Sequence, residues 1–204
     1  MSAKVRLAVL ISGGGTNLQS IIDAGQDRKF PVQVVLVVSS RDDAFGLTRA
    51  KNAGIDTAVY SRKSFPDGNA ADDWLLALLD KYGIQMIALA GYLKMVSPAI
   101  IRKYRGKIVN IHPGLLPKYG GKGMYGQHVH EAVIAAGEKE TGVTIHQVDE
   151  IYDHGLIVAE QRVPVLPGET AEELAARVLR VEHQLYPRVL GELAERLLKE
   201  KGDE

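Results

Sequence analysis

Apolar positions along the chain alternate between two spacings. Runs of strand length at Val5–Ile11, Val32–Ser39, Thr57–Tyr60, Met86–Ala90, Ile108–Ile111, Val143–Val148 and Leu156–Val163 are separated by segments with helical periodicity. Helices are predicted at Asn17–Ala24, Ala44–Ala53, Ala70–Tyr82 and Pro98–Tyr104, the last with Ser97 as its cap and Pro98 at the first helical position. A final helix, Ala171–Lys199, carries Leu174, Val178, Leu185, Val189, Leu193 and Leu197 on one stripe; Pro187 is expected to kink it and Lys201–Glu204 to form a solvated tail. This alternation predicts an α/β fold, a doubly wound and mostly parallel sheet with helices on both faces. The longest irregular piece, Pro113–Gln127, contains five glycines and two prolines, and a loop of that length in a compact domain is expected to be functional.

The 204 residues are 46% hydrophobic and 25% charged, with no repeat, linker or shift in composition, so a single domain over residues 1–204 is expected. Lys and Arg number 25, as do Asp and Glu, so no net field draws the chain to nucleic acid or to an anionic membrane. Any anion site must be built locally. The lack of cysteine removes disulfides, thiolate nucleophiles and Cys-ligated metals. No secretory signal and no apolar run approaching ~20 residues is present, and a cytoplasmic location is expected.

The first strand runs into Ser12-Gly13-Gly14-Gly15-Thr16-Asn17 and then into a helix. Glycines there let backbone N–H groups approach an anion at the helix N-terminus, as in a phosphate cradle. No Gly-Lys-Ser/Thr follows, and Leu18 stands where a dinucleotide fingerprint needs its third glycine. One phosphate fits better than a pyrophosphate, and no nicotinamide cofactor is expected. A plain β–α turn with Thr16 or Asn17 as helix cap is the competing reading. Position favours a ligand, because sites of open α/β sheets gather at the carboxyl ends of the strands.

In Lys107-Ile108-Val109-Asn110-Ile111-His112-Pro113 a buried strand ends in two polar residues at i and i+2, which puts both side chains on one side of the backbone. The Asn amide can donate to a developing oxyanion, and the His can move a proton near neutral pH. Acyl transfer uses both. Leu116-Pro117 is compatible with a cis bond. Downstream, Asp149-Glu150-Ile151-Tyr152-Asp153-His154-Gly155 joins two apolar strands with more acid than a turn requires, and Asp153 is the candidate partner for His112. A carboxylate beside an imidazole is expected to raise its pKa and hold its proton. The alternatives are that Asn110 and His112 satisfy loop backbone groups and that the three acids only form the turn.

Four segments taken together resemble the phosphoribosylglycinamide formyltransferases, folate-dependent enzymes of purine synthesis: Ser12–Gln19, Leu89-Ala90-Gly91-Tyr92-Leu93, Asn110-Ile111-His112-Pro113-Gly114-Leu115-Leu116-Pro117, and the acidic loop ending in Asp153-His154-Gly155. The resemblance runs from Val5 to about Leu190, with the motifs in the family's order and spacing. It implies a Rossmann-like formyltransferase fold, with a phosphate-binding half at about 1–105 and a folate-binding, catalytic half at about 106–204. It implies transfer of the formyl group of 10-formyltetrahydrofolate, the co-substrate, to the amine of glycinamide ribonucleotide by direct attack, without a metal, in a monomer or homodimer. The family's catalytic asparagine, histidine and aspartate fall on Asn110, His112 and Asp153. The ribonucleotide is implied at Gly14, Gly15, Thr16, Asn17, Gly91, Pro113 and Glu182, with Glu182 on its ribose. The folate is implied at Leu93, Lys94, Met95, Val96, Ile101 and Ile108 and along Val148, Asp149, Glu150, Ile151 and Tyr152. An apolar strand end packing in the core is the competing reading of Leu93–Val96.

The sequence departs from the family's best-known members in having Gly114 where they have serine and a longer loop, Lys118–Gln127. That loop leaves open the role of His128 and His130, a Val-separated pair without an evident third metal ligand. A formyltetrahydrofolate hydrolase would share the Asn-His-Asp set, but is expected to carry a further domain ahead of the first strand. A methionyl-tRNA formyltransferase would add a nucleic-acid-binding domain. A nicotinamide-dependent or nucleotide-binding module would explain the first turn and leave Asn110, His112 and Asp153 without a purpose. Replacing Asn110 by Ala is expected to lower formyl transfer by roughly 10²-fold or more with the fold intact. Steady-state rates with a thermal melt check this, and near-normal turnover returns Asn110 to a structural role.

Overall fold

A computed structural model describes residues 3–202. The strands are β1 (Val5–Ile11), β2 (Val32–Ser39), β3 (Asp56–Val59), β4 (Met86–Leu89), β5 (Ile108–His112), β6 (Glu140–Gln147) and β7 (Ile157–Pro164). They form one seven-stranded sheet in the order β3-β2-β1-β4-β5-β6-β7. The pairs from β3 through β5 are parallel, and β6 and β7 add antiparallel to that edge. The helices are α1 (Thr16–Ala24), α2 (Phe45–Asn52), α3 (Gly68–Lys81), α4 (Pro98–Lys103), α5 (Gln127–Ala135) and α6 (Ala171–Gly202), with a short 3₁₀ turn at Arg62–Ser64. Among the described residues no helix is long and apolar enough to cross a membrane.

The period-2 pattern of β1 divides the core between the two faces of the sheet. Val5, Leu7, Val9 and Ile11 pack with residues of α1, α2, α5 and α6, whereas Ala8 and Leu10 face α3 and α4. Both helical layers therefore rest on one strand. Ser97 caps α4 by accepting from the Ile100 N–H at 3.5 Å, and Asp67 caps α3 by accepting from Ala70 at 2.8 Å.

Most expected elements agree to within one or two residues, with three differences. Strand β6 begins at Glu140, three residues ahead of the expected Val143, because Glu140, Thr141 and Gly142 pair with Pro164, Val163 and Arg162 on β7. Helix α5 was not expected at all. It follows Gly126 at φ 51°, has no side-chain cap, and buries only Val129, His130 and Val133, so it carries neither a start signal nor a long apolar stripe. Pro187 lies inside α6, which continues through it to Gly202; the side chains of the expected tail Lys201–Glu204 lie outside the described residues. The Leu116–Pro117 bond is cis.

Helix α6 is joined to the sheet by more than apolar contact. Tyr186 is fully buried, and its hydroxyl lies 2.9 Å from the Leu89 carbonyl of β4 and 3.0 Å from the Val109 carbonyl of β5, where it donates. Replacing Tyr186 by Phe keeps the packing and removes the one buried proton shared by the two carbonyls, with an expected loss of about 1 kcal/mol in chemical denaturation. A loss below ~0.3 kcal/mol means the carbonyls find other donors.

Candidate active site

A cavity of about 720 Å³ opens at the carboxyl ends of β1, β4 and β5, and Thr16, Asn17, Gly91, Asn110, His112, Asp153 and Glu182 are among its walls. It lies over the β1/β4 boundary, where the strand order reverses and open α/β sheets leave a crevice. A smaller cavity of about 70 Å³ shares Tyr92, Asn110, Tyr152 and Asp153 with it and continues along Lys94, Met95, Val96, Val148, Asp149 and Ile151. At the head of the crevice the buried Ser12 hydroxyl accepts from the Leu93 N–H at 2.8 Å and meets Ser40 at 2.6 Å, tying the ends of β1, β2 and β4 together.

Four polar side chains converge between the two cavities. Asp153 sits at φ 52°, a backbone state that few non-glycine residues adopt, and its side chain is only 11% exposed. One carboxylate oxygen lies 3.7 Å from His112 Nδ1 and accepts from the Gly121 N–H at 3.0 Å. The other lies 3.4 Å from both His146 Nε2 and Asn110 Nδ2. His146 faces Asn110 directly in the β5–β6 register, at 3.1 Å between Nε2 and Nδ2. A carbonyl oxygen can only accept, so His146 Nδ1, 2.8 Å from the Gln147 oxygen, carries a proton, and in that tautomer Nε2 accepts from the Asn110 amide.

The same reasoning assigns the His112 tautomer. Its Nε2 lies 2.5 Å from the Tyr119 carbonyl oxygen and must donate to it, which leaves Nδ1 facing Asp153. Burial pulls the imidazole below its ordinary value of 6.5; Asp153 and the Tyr119 carbonyl act upward without overcoming it. Asp153 does act upward on His112, as the sequence led one to expect, but the net shift is downward, because desolvation of a 3%-exposed ring outweighs one carboxylate. For Asp153, burial acts upward, but the His146 ring, the Gly121 N–H and the charge His112 can carry hold it below the ordinary carboxylate value.

The glycine-rich loop therefore grips both members of the His112–Asp153 pair, through the Tyr119 carbonyl and the Gly121 N–H. Its own anchor is Glu138, which accepts from the Tyr119 hydroxyl at 2.7 Å and pairs with Lys118. Gly114 is what lets this layer close. A Cβ there would stand 2.9 Å from Val129 Cγ1 of α5, 3.2 Å from Tyr119 Cβ and 3.3 Å from His112 Nε2.

At the other end of the main cavity, Asn17 Nδ2 donates to Glu182 at 2.5 Å. Glu182 is 7% exposed, and burial pushes its carboxyl up to about 7, only partly offset by Asn17. Three buried atoms in the cavity wall, Asn17 Oδ1, Gln127 Nε2 and His130 Nδ1, have no partner among the described residues. Burial, with His112 nearby, lowers His130 to about 4, so it is neutral. His128 points elsewhere, to Glu131 and Tyr125 on the surface, since residues two apart on a helix leave on different faces. Among the described residues no three His, Cys, Asp or Glu side chains group as a metal site.

Not every residue singled out in the sequence faces a cavity. Ile101 and Ile108 are buried in the core beside α3, and Val96 belongs to that cluster while also lining the smaller cavity. Glu150 is exposed and lines neither cavity, whereas Asp149, at the wall of the smaller one, also holds the Ile151 N–H and the His154 ring, both at 2.8 Å. Gly14 and Gly15 form the turn beside Thr16 without lining the main cavity. Sequence reasoning missed His146, Gln127, Tyr119 and Ser12. Only His146 left a signal, as a lone ionisable residue in the apolar run Val143–Val148.

A doubly wound sheet with a polar cluster at the carboxyl end of its parallel strands defines an α/β enzyme with its site at the switch point. The sequence model of the formyl transferase family matches residues 5–190, and the chain belongs to that family. It is 43% identical over 198 residues to a phosphoribosylglycinamide formyltransferase of Haemophilus influenzae, spanning 97% of this chain and 91% of the relative. The Escherichia coli enzyme of the same name is 39% identical over 195 residues, spanning 96% of this chain and 90% of its own length. A solved phosphoribosylglycinamide formyltransferase structure from Brucella melitensis superposes with a TM-score of 0.87 at 45% identity, covering 94% of this chain and 96% of that one.

The Glu182 carboxyl has its folded pKa raised from 4.5 to about 7. The stability linked to it is fully present below pH 4.5 and is lost as pH rises through 7. Replacing Glu182 by Gln removes this dependence, so the Tm of the variant relative to the parent is expected to climb between pH 4.5 and 8. Melts across that range test it; a difference that stays level means Glu182 does not titrate there.

Proposed function

We propose that this chain transfers the formyl group of 10-formyltetrahydrofolate to the amine of glycinamide ribonucleotide, and that Asn110, His112 and Asp153 carry the chemistry. The observation that supports this assignment of residues is their convergence on one wall of a cleft whose far end carries the glycine-rich turn and Glu182. In this reading the ribonucleotide phosphate sits on the N–H groups of the Gly14–Asn17 turn. Glu182, oriented by Asn17, accepts from a ribose hydroxyl. The folate lies along the smaller cavity, against Leu93–Val96 and the Val148–Tyr152 loop. The reacting amine and formyl carbon then meet over Asn110.

The amine attacks the formyl carbon, a C–N bond forms, and the carbonyl oxygen becomes an oxyanion. The Asn110 amide has one hydrogen on His146 and another held only loosely, 3.4 Å from Asp153, which is the one available to that oxyanion. His112 holds a proton at Nε2, and protonation of Nδ1 turns it toward Asp153, where the carboxylate stabilises the imidazolium. The C–N bond to the folate nitrogen breaks as the proton from the attacking amine passes to that nitrogen through the His112 region. No covalent enzyme intermediate is needed, because binding both substrates in one cleft supplies the orientation.

Mixing the protein with both substrates and following the folate absorbance tests the activity. Replacing Asp153 by Asn tests its chemistry, since it keeps size and removes charge. Turnover is expected to fall at least tenfold, about 1.4 kcal/mol or more, with ribonucleotide affinity nearly unchanged. The limb of the pH–rate profile that reports His112 is expected to move to lower pH, because Asp153 acts upward on that imidazole. A folded variant that keeps more than about a tenth of parental turnover overturns the role.

A further inference from the structure

The glycine-rich turn is held from behind by α2. The Gly46 N–H donates to the Gly13 carbonyl at 3.0 Å, and Arg49 Nε donates to the Gly14 carbonyl at 2.9 Å. The next carbonyl, Gly15, accepts from the Gln19 N–H at 2.9 Å as α1 begins. In a trans peptide the C=O and N–H of one unit point in opposite directions. Fixing these carbonyls on the α1–α2 side therefore turns the N–H groups of Gly14, Gly15 and Thr16 the other way, and none of them has an acceptor among the described residues. The approach of α2 is as close as backbone allows: a Cβ on Gly15 would lie 2.7 Å from Gly46 Cα, and one on Gly46 would lie 2.4 Å from Ile11 Cδ1. Arg49 is partly buried and reaches Gln19 Oε1 at 3.3 Å, and its guanidinium lies 5.1 Å over the Phe45 ring. Of these tethers, the Arg49 contact is the one made by a side chain.

We propose that Arg49 is a positioning residue for the substrate's phosphate, acting through the Gly14 carbonyl to aim the Gly15 N–H at the anion. The proposal rests on the phosphate reading of the turn given above. Losing a charge-assisted hydrogen bond that orients the cradle is expected to weaken phosphate binding roughly tenfold.

The test uses the parent, Arg49→Met and Arg49→Lys, each shown folded by thermal melt, with inorganic phosphate as the probe. Met keeps the apolar stem, and Lys keeps the charge without the Nε donor. In glycine-labelled parent protein, phosphate is expected to shift the Gly14 and Gly15 amide resonances and to compete with the ribonucleotide but not with the folate. In Arg49→Met the inhibition constant for phosphate and the ribonucleotide KM are expected to rise roughly tenfold, with kcat and the folate KM changing less than about twofold. Failure of phosphate to move those resonances in the parent overturns the phosphate reading, and this inference with it. A parent that responds while Arg49→Met binds phosphate equally well overturns the inference alone. An Arg49→Lys protein that matches the parent also overturns it, by showing that charge rather than the hydrogen bond to Gly14 is used.

Discussion

The contact between the Asp153 carboxylate and its four partners is the constraint on which the rest of the cleft depends. A nearly buried carboxylate is tolerated only where donors, or groups able to carry positive charge, surround it. Here the donors are the Asn110 amide of β5 and the Gly121 N–H of the long loop, and the His112 ring of β5 and the His146 ring of β6 stand beside them, so the partners come from separate pieces of chain. Asp153 itself lies in the β6–β7 turn, in a backbone conformation that the surrounding contacts must sustain. The loop, the strand end and the acidic turn therefore reach their positions together, around one anion.

Burial sets the protonation of this region as much as charge does. His112 and His130 are both pulled toward the neutral form, chiefly by desolvation, and Glu182 is pushed up to about 7 by the same cause. A neutral imidazole can still donate its Nε2 proton, and it is less costly to bury than an imidazolium. The carboxylate beside it makes the charged form reachable when a reaction calls for it. The cavity thus sets imidazoles held toward their neutral form beside a carboxylate held toward its charged form, an arrangement in which a proton can be taken up and passed on.

The two ends of the cleft use different chemistry. Around Asp153 the polar groups are side chains, while at the glycine-rich turn they are backbone N–H groups whose peptide carbonyls are bonded on the far side. A chain with 25 basic and 25 acidic residues has no net basic charge to draw an anion, and backbone N–H groups are a local means of binding one. Tyr186 spans the two regions from below, with its hydroxyl on the carbonyls of Leu89 and Val109, next to the strand ends that carry Gly91 and Asn110.

Local physics was enough to read much of this from the sequence. Period-2 and helical spacing located every strand and five of the six helices, because those elements bury long apolar faces. The i, i+2 spacing placed Asn110 and His112 on one side of β5, and the rule that ligands gather at carboxyl strand ends pointed to the first turn. What stayed hidden depends on register and long-range approach. His146 joins the site because β6 pairs with Asn110 opposite it, and the Tyr119 carbonyl reaches His112 because Gly114 leaves room. Helix α5 has too short an apolar stripe to declare itself, and Arg49 meets Gly14 across thirty-five residues of chain. The sign of the His112 shift was decided by burial as well, and burial is a property of the packed molecule: sequence supplied the groups and their local geometry, while tertiary packing chose their partners and their charge.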